Sequence, residues 1–280
     1  MEQQERQNPL KQYFRQFKLY MKLPTGTTYY APGVIKFTDG GEVGVMAMTG
    51  KDELLLKNPD ALLNGEAIVE IIKSCVPAVM DPKALLTNDV DALITAVRYA
   101  TYNDKLETEI KCPKCGHDNL FKLDLQYALD NMTYLEKEYV VNLDSGLSVF
   151  IKPYGFPEIL KGLHAQFEQN KITRAIENDI SDEERFKLFS TAFKELTMVT
   201  YSLLSNSIVK VVDESRGIDV NEREFIKDFL QNIDKKSVDK ISDLVKEINQ
   251  IGIKRSFTAK CQSCGHEWEN EIDFNPVNFS

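Results

Sequence analysis

Two short stretches, far apart in the chain, constrain its fold more than anything else in it. They are Lys111-Cys112-Pro113-Lys114-Cys115-Gly116-His117 and Lys260-Cys261-Gln262-Ser263-Cys264-Gly265-His266. Each is a C-x-x-C followed by glycine. In such a knuckle a tight turn points both sulfurs at one metal ion, and the glycine takes a backbone conformation that other residues resist. Two knuckles supply four thiolates, enough to close a tetrahedral zinc site. A site closed by four protein ligands is structural, because no position is left for water or substrate. A compact zinc ribbon has roughly 15–20 residues between its knuckles, whereas about 145 residues separate Cys115 from Cys261. The reading is one Zn2+ held by Cys112, Cys115, Cys261 and Cys264 and closing a very long loop. The alternative is two separate sites, with His117 and His266 as third ligands, although each histidine stands on the strand leaving its turn.

Other uses of these cysteines fit less well. A redox dithiol wants its C-x-x-C near a helix N-terminus in a βαβ setting. Here the first pair lies between Thr108-Glu109-Ile110 and Phe121-Lys122-Leu123, alternating segments that predict a hairpin. Five cysteines, an odd count, with no signal peptide argue against a disulfide framework and for a reducing, cytosolic compartment. The fifth, Cys75, shares an apolar helical face with Ile71 and Ile72 and reads as a small buried hydrophobe.

The remaining composition excludes more than it assigns. With 42% hydrophobic residues over 280 positions, the chain can bury one large core or two small ones. No run approaches the 18 uncharged apolar residues of a membrane span. A net charge of −9 opposes non-specific binding to phosphate backbones, which a zinc ribbon otherwise invites. The basic pairs Lys235-Lys236 and Lys254-Arg255 make no groove. No nucleophile elbow, zincin helix, phosphate loop or dinucleotide fingerprint is present. His164 has no acid or nucleophile beside it, and the acidic run 177–184 lacks the spaced oxygens and central glycine of a calcium loop.

Along the chain, a flexible N-terminal segment, 1–16, precedes strands at about 17–23, 27–30, 34–37 and 43–48. Thr49 with Asp52 forms a capping-box pattern that predicts a helix from Gly50. Further helices are expected at about 66–76, 82–86 and 90–101, the last capped by Asn88 or Asp89, followed by the first knuckle hairpin at about 106–125. The order then repeats: strands at 139–143 and 147–152, helices at about 156–170, 181–208, 221–231 and 235–250, and the second knuckle hairpin at about 254–274. The fold class is therefore α+β, made of two divergent hairpin–helices–knuckle units, 17–125 and 126–280, that share one split zinc ribbon. A helical insertion, 156–208, distinguishes the second unit. It carries Phe186, Phe189 and Phe193, which are either interior or turned to a partner. Phe274 and Phe279 in the C-terminal tail are further candidate anchors.

Several ordered motifs carry a family resemblance. They are Leu23-Pro24-Thr25-Gly26 with Tyr29-Tyr30, Met48-Thr49-Gly50-Lys51-Asp52-Glu53-Leu54-Leu55-Leu56, Asn58-Pro59, Asn64-Gly65 and Cys75-Val76. Asp81-Pro82, Leu85-Leu86, Asp89, Arg98, Thr101-Tyr102 and Cys112-Pro113-Lys114-Cys115 continue the series. The chain resembles the T-even-type phage baseplate hub-subunit and hub-assembly family, closely over about 20–125 and more weakly beyond. The resemblance implies a non-enzymatic role in building the hub of a phage tail, as a minor component or an assembly chaperone. Its partners would be hub or tail proteins, met in the host cytoplasm or in the virion baseplate. The other reading of the same chain is an acidic zinc-ribbon regulator that binds transcription or replication proteins.

Overall fold

The computed structural model describes residues 8–58, 61–62, 65–103, 105–158, 160–162, 182–254 and 256–271. Two hydrophobic cores organise them. In the first, β1 (Phe17–Lys22) pairs antiparallel with β2 (Glu42–Met46), and Met21, Val43 and Val45 face helices α2 (Glu66–Cys75) and α3 (Thr87–Tyr102). The return strand expected at 27–30 does not form, and 34–37 makes only an isolated bridge from Ile35 to Val79. Pro24 and Pro32 cannot donate to a ladder, and Gly26 and Gly33 turn the chain at φ 66° and 95°. The partner of β1 is therefore recruited from beyond the Asp39-Gly40-Gly41 turn.

Helix α1 (Gly50–Leu56) opens with the anticipated capping box: the Thr49 hydroxyl accepts from the Asp52 amide, and the Asp52 carboxylate accepts from the Thr49 amide. The buried Asp52 also meets Arg15 at 3.3 Å, and Arg15 donates to the carbonyls of Ala47 and Ser74, both at 2.7 Å. The end of the N-terminal segment is thereby held against the first core. Helix α3 starts earlier than its pattern suggests, at Thr87 with Leu86 in the cap position. It leads to the hairpin β3 (Lys105–Lys111) and β4 (Asp118–Asp124), then to the short α4 (Leu125–Asp130).

The second core lies under a four-stranded antiparallel sheet in the order β5 (Tyr139–Asn142), β6 (Ser148–Ile151), β7 (Ile208–Asp213), β8 (Ile218–Val220). The last two strands have no counterpart in the expected element order. Strand β7 follows α5 (Asp182–Ser207) without a loop. That abrupt passage strands the last carbonyls of the helix, and the Arg223 guanidinium caps them, donating to Ser205 at 3.1 Å and Asn206 at 3.4 Å, and to Ile208 at the start of β7 at 2.7 Å. Arg223 opens α6 (Arg223–Asn232), and α7 (Lys235–Asn249) follows. Ile226, Leu230, Ile241, Val245 and Ile248 recur at helical spacing and close over Val141, Val149 and Ile151. The chain ends its described course in the hairpin β9 (Ser256–Lys260) and β10 (Glu267–Glu271). The side chains of Phe186, Phe189 and Phe193 lie outside the described residues, as do His164, Ser181, Phe274 and Phe279.

A buried polar seam joins the halves. The amide of Thr87 donates to the Tyr154 carbonyl at 3.0 Å, and the Asn88 side chain donates to the carbonyls of Ile248 (2.9 Å) and Ile251 (2.6 Å). Gly252, at φ 118°, exchanges hydrogen bonds with Thr133, and a Cβ there would sit 3.3 Å from Pro24. On the other side of the same helical turn, the fully buried Asp89 accepts from the Thr25 amide (3.0 Å) and from the hydroxyls of Thr25 and Tyr30 (both 2.5 Å). Burial pushes its carboxyl up to about 6, against the opposing pull of those donors. The first turn of α3 thus holds the two halves of the chain at once.

Candidate metal centre

Each knuckle is built by its own backbone. In the first, the Gly116 amide donates to the Cys112 carbonyl and the Cys112 amide to the His117 carbonyl, both at 2.9 Å. In the second, Gly265 donates to Cys261 at 3.0 Å and Cys261 to His266 at 2.8 Å. The glycines sit at φ 72° and 70°, the left-handed region where a side chain is strained. The two turns therefore have the same internal hydrogen bonding, although one stands in the middle of the chain and the other near its end.

The structure brings all four predicted cysteines together. The Cys112 and Cys264 sulfurs are 3.7 Å apart, those of Cys115 and Cys261 3.6 Å, and all four lie within 4.8 Å of one another. Sulfurs about 2.3 Å from a zinc ion at tetrahedral angles would be about 3.8 Å apart. The donor set and its spacing fit a tetrahedral thiolate site. The histidines serve the turns through their carbonyls, and neither ring enters the cluster, in which only the four sulfurs take part among the described residues. The His266 ring instead stacks on Trp268, 6.0 Å between centroids and 12° between planes.

Electrostatics inside the cluster make the same point. Burial opposes ionisation of Cys261, but the amides of Cys264 and Ser263 outweigh it and bring the thiol down to about 6. The His117 amide favours the Cys115 thiolate, yet its sulfur neighbours dominate and hold that proton up to about 12. Four thiolates this close repel one another, and a divalent cation among them removes the conflict. Cys112 and Cys261 are buried, and Cys115 and Cys264 face solvent. Cys75 takes no part: it is buried beside Arg15, 3.5 Å from the guanidinium, with its thiol pushed up to about 11 by burial.

Residues without a sequence signature complete the contact between the hairpins. Asn119, fully buried on β4, accepts from the Gln262 amide across the site at 2.8 Å and donates to the His117 carbonyl at 2.9 Å. Phe121 packs edge-on against Phe257 and Trp268, at 5.4 and 6.2 Å between centroids. Matching cross-strand ion pairs flank the knuckles, Lys111 with Asp118 and Lys260 with Glu267. Only the lysine preceding each first cysteine hinted at them in the sequence.

No helix among the described residues is long and apolar enough to cross a membrane. No curated protein and no solved structure matches the chain significantly. A protein-family model described as T4 bacteriophage base plate protein matches residues 33–279, a span that takes in both knuckles, the second core and the first core apart from its N-terminal strand. The chain belongs to that family of T4-type phage baseplate proteins.

Proposed function

We propose that this baseplate protein acts in assembly of the baseplate hub, as a minor hub component or an assembly chaperone, and that it has no enzymatic activity. In this reading one structural Zn2+, bound by Cys112, Cys115, Cys261 and Cys264, locks its two halves together. The observation that carries the metal is the meeting of four sulfurs at tetrahedral spacing from knuckles about 145 residues apart. The hub role rests on the resemblance of residues 20–125 to hub subunits and hub-assembly proteins. Its partners are then hub or tail proteins, met in the host cytoplasm during assembly.

The halves 17–125 and 126–280 are read as divergent copies, with 1–16 outside both and the helical insertion 156–208 in the second. The equivalent turns, the matching ion pairs and a hairpin-plus-helices core in each half support the duplication. Elemental analysis of the purified protein tests the metal, with about one zinc per chain expected and two zincs or none counting against the shared site. Complementation of a phage lacking this protein tests the role. The intact chain should restore hub complexes, Cys264→Ser should not, and normal hubs in the absence of the protein would refute the assembly reading.

A further inference from the structure

The sheet over the first core has only two strands, and its far face is open. Side chains alternate along a strand. Met21, Val43 and Val45 point into the core, so Tyr20 and Lys22 of β1 and Glu42, Gly44 and Met46 of β2 point away from it. Past the bulge between Phe17 and Leu19, the Phe17 ring reaches the same outer side and meets that of Tyr20 at 5.5 Å between centroids. Both rings lean over Gly44, where a Cβ would lie 2.7 Å from Phe17 and 3.0 Å from Tyr20. The glycine is thereby buried, but the rings remain about half exposed. Just upstream, Leu10, Tyr13 and Phe14 are each more than half exposed as well. These five side chains offer roughly 500 Å² of accessible surface, comparable to the largest apolar patch of a typical monomer, which often marks an interaction site.

The charges beside the rings select the occupant. Lys22 and Glu42 stand opposite each other on the ladder, yet neither has an ion-pair partner among the described residues. Lys18 and Asp130 join them in lining a groove of about 400 Å³ along the open edge of β1. Two lysines and two carboxylates give these surroundings no net sign, so neither a peptide of one charge nor a phosphate backbone is favoured. A second copy of the same face is. In a twofold contact a patch meets itself, and a patch carrying both signs side by side can then satisfy each with the other. Face-to-face sheets pack with their strands roughly aligned. With the twofold axis along the strands, β1 lies over the second copy's β2. Lys22 then faces Glu42 of the partner subunit, Glu42 faces Lys22 of the partner subunit, and the two ring pairs meet on the axis. With the axis across the strands, Lys18 would instead face Lys22 of the partner subunit, a like-charge contact that opposes association. The five apolar side chains of both copies together supply about 1,000 Å², the lower bound for a specific interface.

We propose that the outer face of the β1–β2 sheet is a homodimer interface, with Phe17 and Tyr20 at its centre and reciprocal Lys22–Glu42 ion pairs at its rim. The desolvated rings supply the affinity, and the charges fix the register. This interface is separate from the metal centre and does not rest on the hub reading.

Sedimentation velocity on the full chain tests it. A monomer–dimer equilibrium is expected, and a chain still monomeric at about 100 μM overturns the proposal. Lys22→Glu and Glu42→Lys should each weaken dimerisation at least tenfold, because each sets like charges against one another, and Tyr20→Ala should do the same. Thermal melts of the diluted variants should match the wild type, since these side chains lie outside the core. The decisive step is mixing. Lys22→Glu presents two acidic groups at the contact and Glu42→Lys two basic ones, so a heterodimer of the two variants regains both ion pairs. Its dissociation constant should return to within about threefold of the wild-type value. Such recovery comes neither from a pairing within one chain nor from repair of a folding defect, because each chain keeps its own substitution. The proposal is overturned if the mixture associates as weakly as its components, or if either charge reversal alone dimerises as tightly as the wild type. It is also overturned if the monomer binds single-stranded oligothymidine or a charged peptide saturably and Tyr20→Ala abolishes that binding, which would give the face another occupant.

Discussion

The two halves of the chain meet at two joints of opposite character. At the knuckles they meet through four sulfurs, two of them exposed, one buried asparagine and an aromatic trio. At the seam, side chains on the first turn of α3 reach carbonyls at the end of α7 and in the segment that follows it. In the proposed reading the first joint depends on an ion that binds thiolates. The second is made of hydrogen bonds that need no third party. A fold that relied on the metal alone would come apart on chelation; with the seam present, the same treatment should open one joint and leave the other closed.

Removing the metal should therefore have the largest effect. Cys112→Ser and Cys264→Ser should each empty the site and lower stability to a similar degree, by about 3 kcal/mol or more, since structural zinc binding is itself folding free energy. Thermal melts and metal content measured together check this, and an intact metal content in either variant would mean that the knuckles work separately. Hydrogen exchange on the chelated protein should retain protection around Asn88 and Gly252 while losing it around Asn119.

Asn88→Ala attacks the other joint. It removes a donor from the carbonyls of Ile248 and Ile251; Ile248 keeps the Ile251 amide at 3.4 Å, and the loss at Ile251 costs about 1–3 kcal/mol. Metal content should not change. A variant that lost both stability and zinc would show that the two joints are one cooperative unit.

Acid should act in opposite directions on the knuckles and on Asp89, which braces the first turn of α3 from within the first half. Thiolates are protonated as pH falls, so knuckles holding the proposed ion should release it. Asp89 behaves otherwise, because burial raises its carboxyl from 3.8 to about 6 in the folded chain. Its contribution to stability is fully present below pH 3.8 and is lost as pH rises through about 6. Asp89→Asn should remove this dependence, so urea midpoints of the two proteins should diverge between pH 4 and 6, with the wild type falling by about 2 kcal/mol relative to the variant. Parallel curves would mean that Asp89 does not bear a buried charge.

The smallest change expected is for Gly252→Ala, about 1–2 kcal/mol from a side chain forced to positive φ against Pro24. It too should leave the zinc in place.

The unequal legibility of the two joints follows from their chemistry. The knuckle is a local device: cysteine spacing, glycine and turn stand together within seven residues, so all four cysteines of the cluster could be named from sequence. The Thr49–Asp52 cap was legible for the same reason. The seam was not. Asn88 and Asp89 precede an apolar run and look like caps, but Leu86 takes the cap position and both side chains turn into the interior, where one of their targets lies some 160 residues away. Asn119 is invisible for a similar reason, since its partner Gln262 belongs to the other knuckle. β7 and β8 were overlooked because the helical pattern of α5 runs without a break into Ile208, and the Arg223 cap that ends it comes from the following helix.

The distance between the knuckles also sets a schedule. A chain emerging from the ribosome at about 5–20 residues per second presents Cys112 and Cys115 roughly seven to thirty seconds before Cys261 and Cys264. During that interval the early pair is a bidentate thiol ligand without its complement, open to capture by stray metal or oxidant. The late pair arrives as nearly the last part of the described chain. The four-sulfur cluster is thus attainable only by a polypeptide that has been translated through Cys264 and has folded both of its halves.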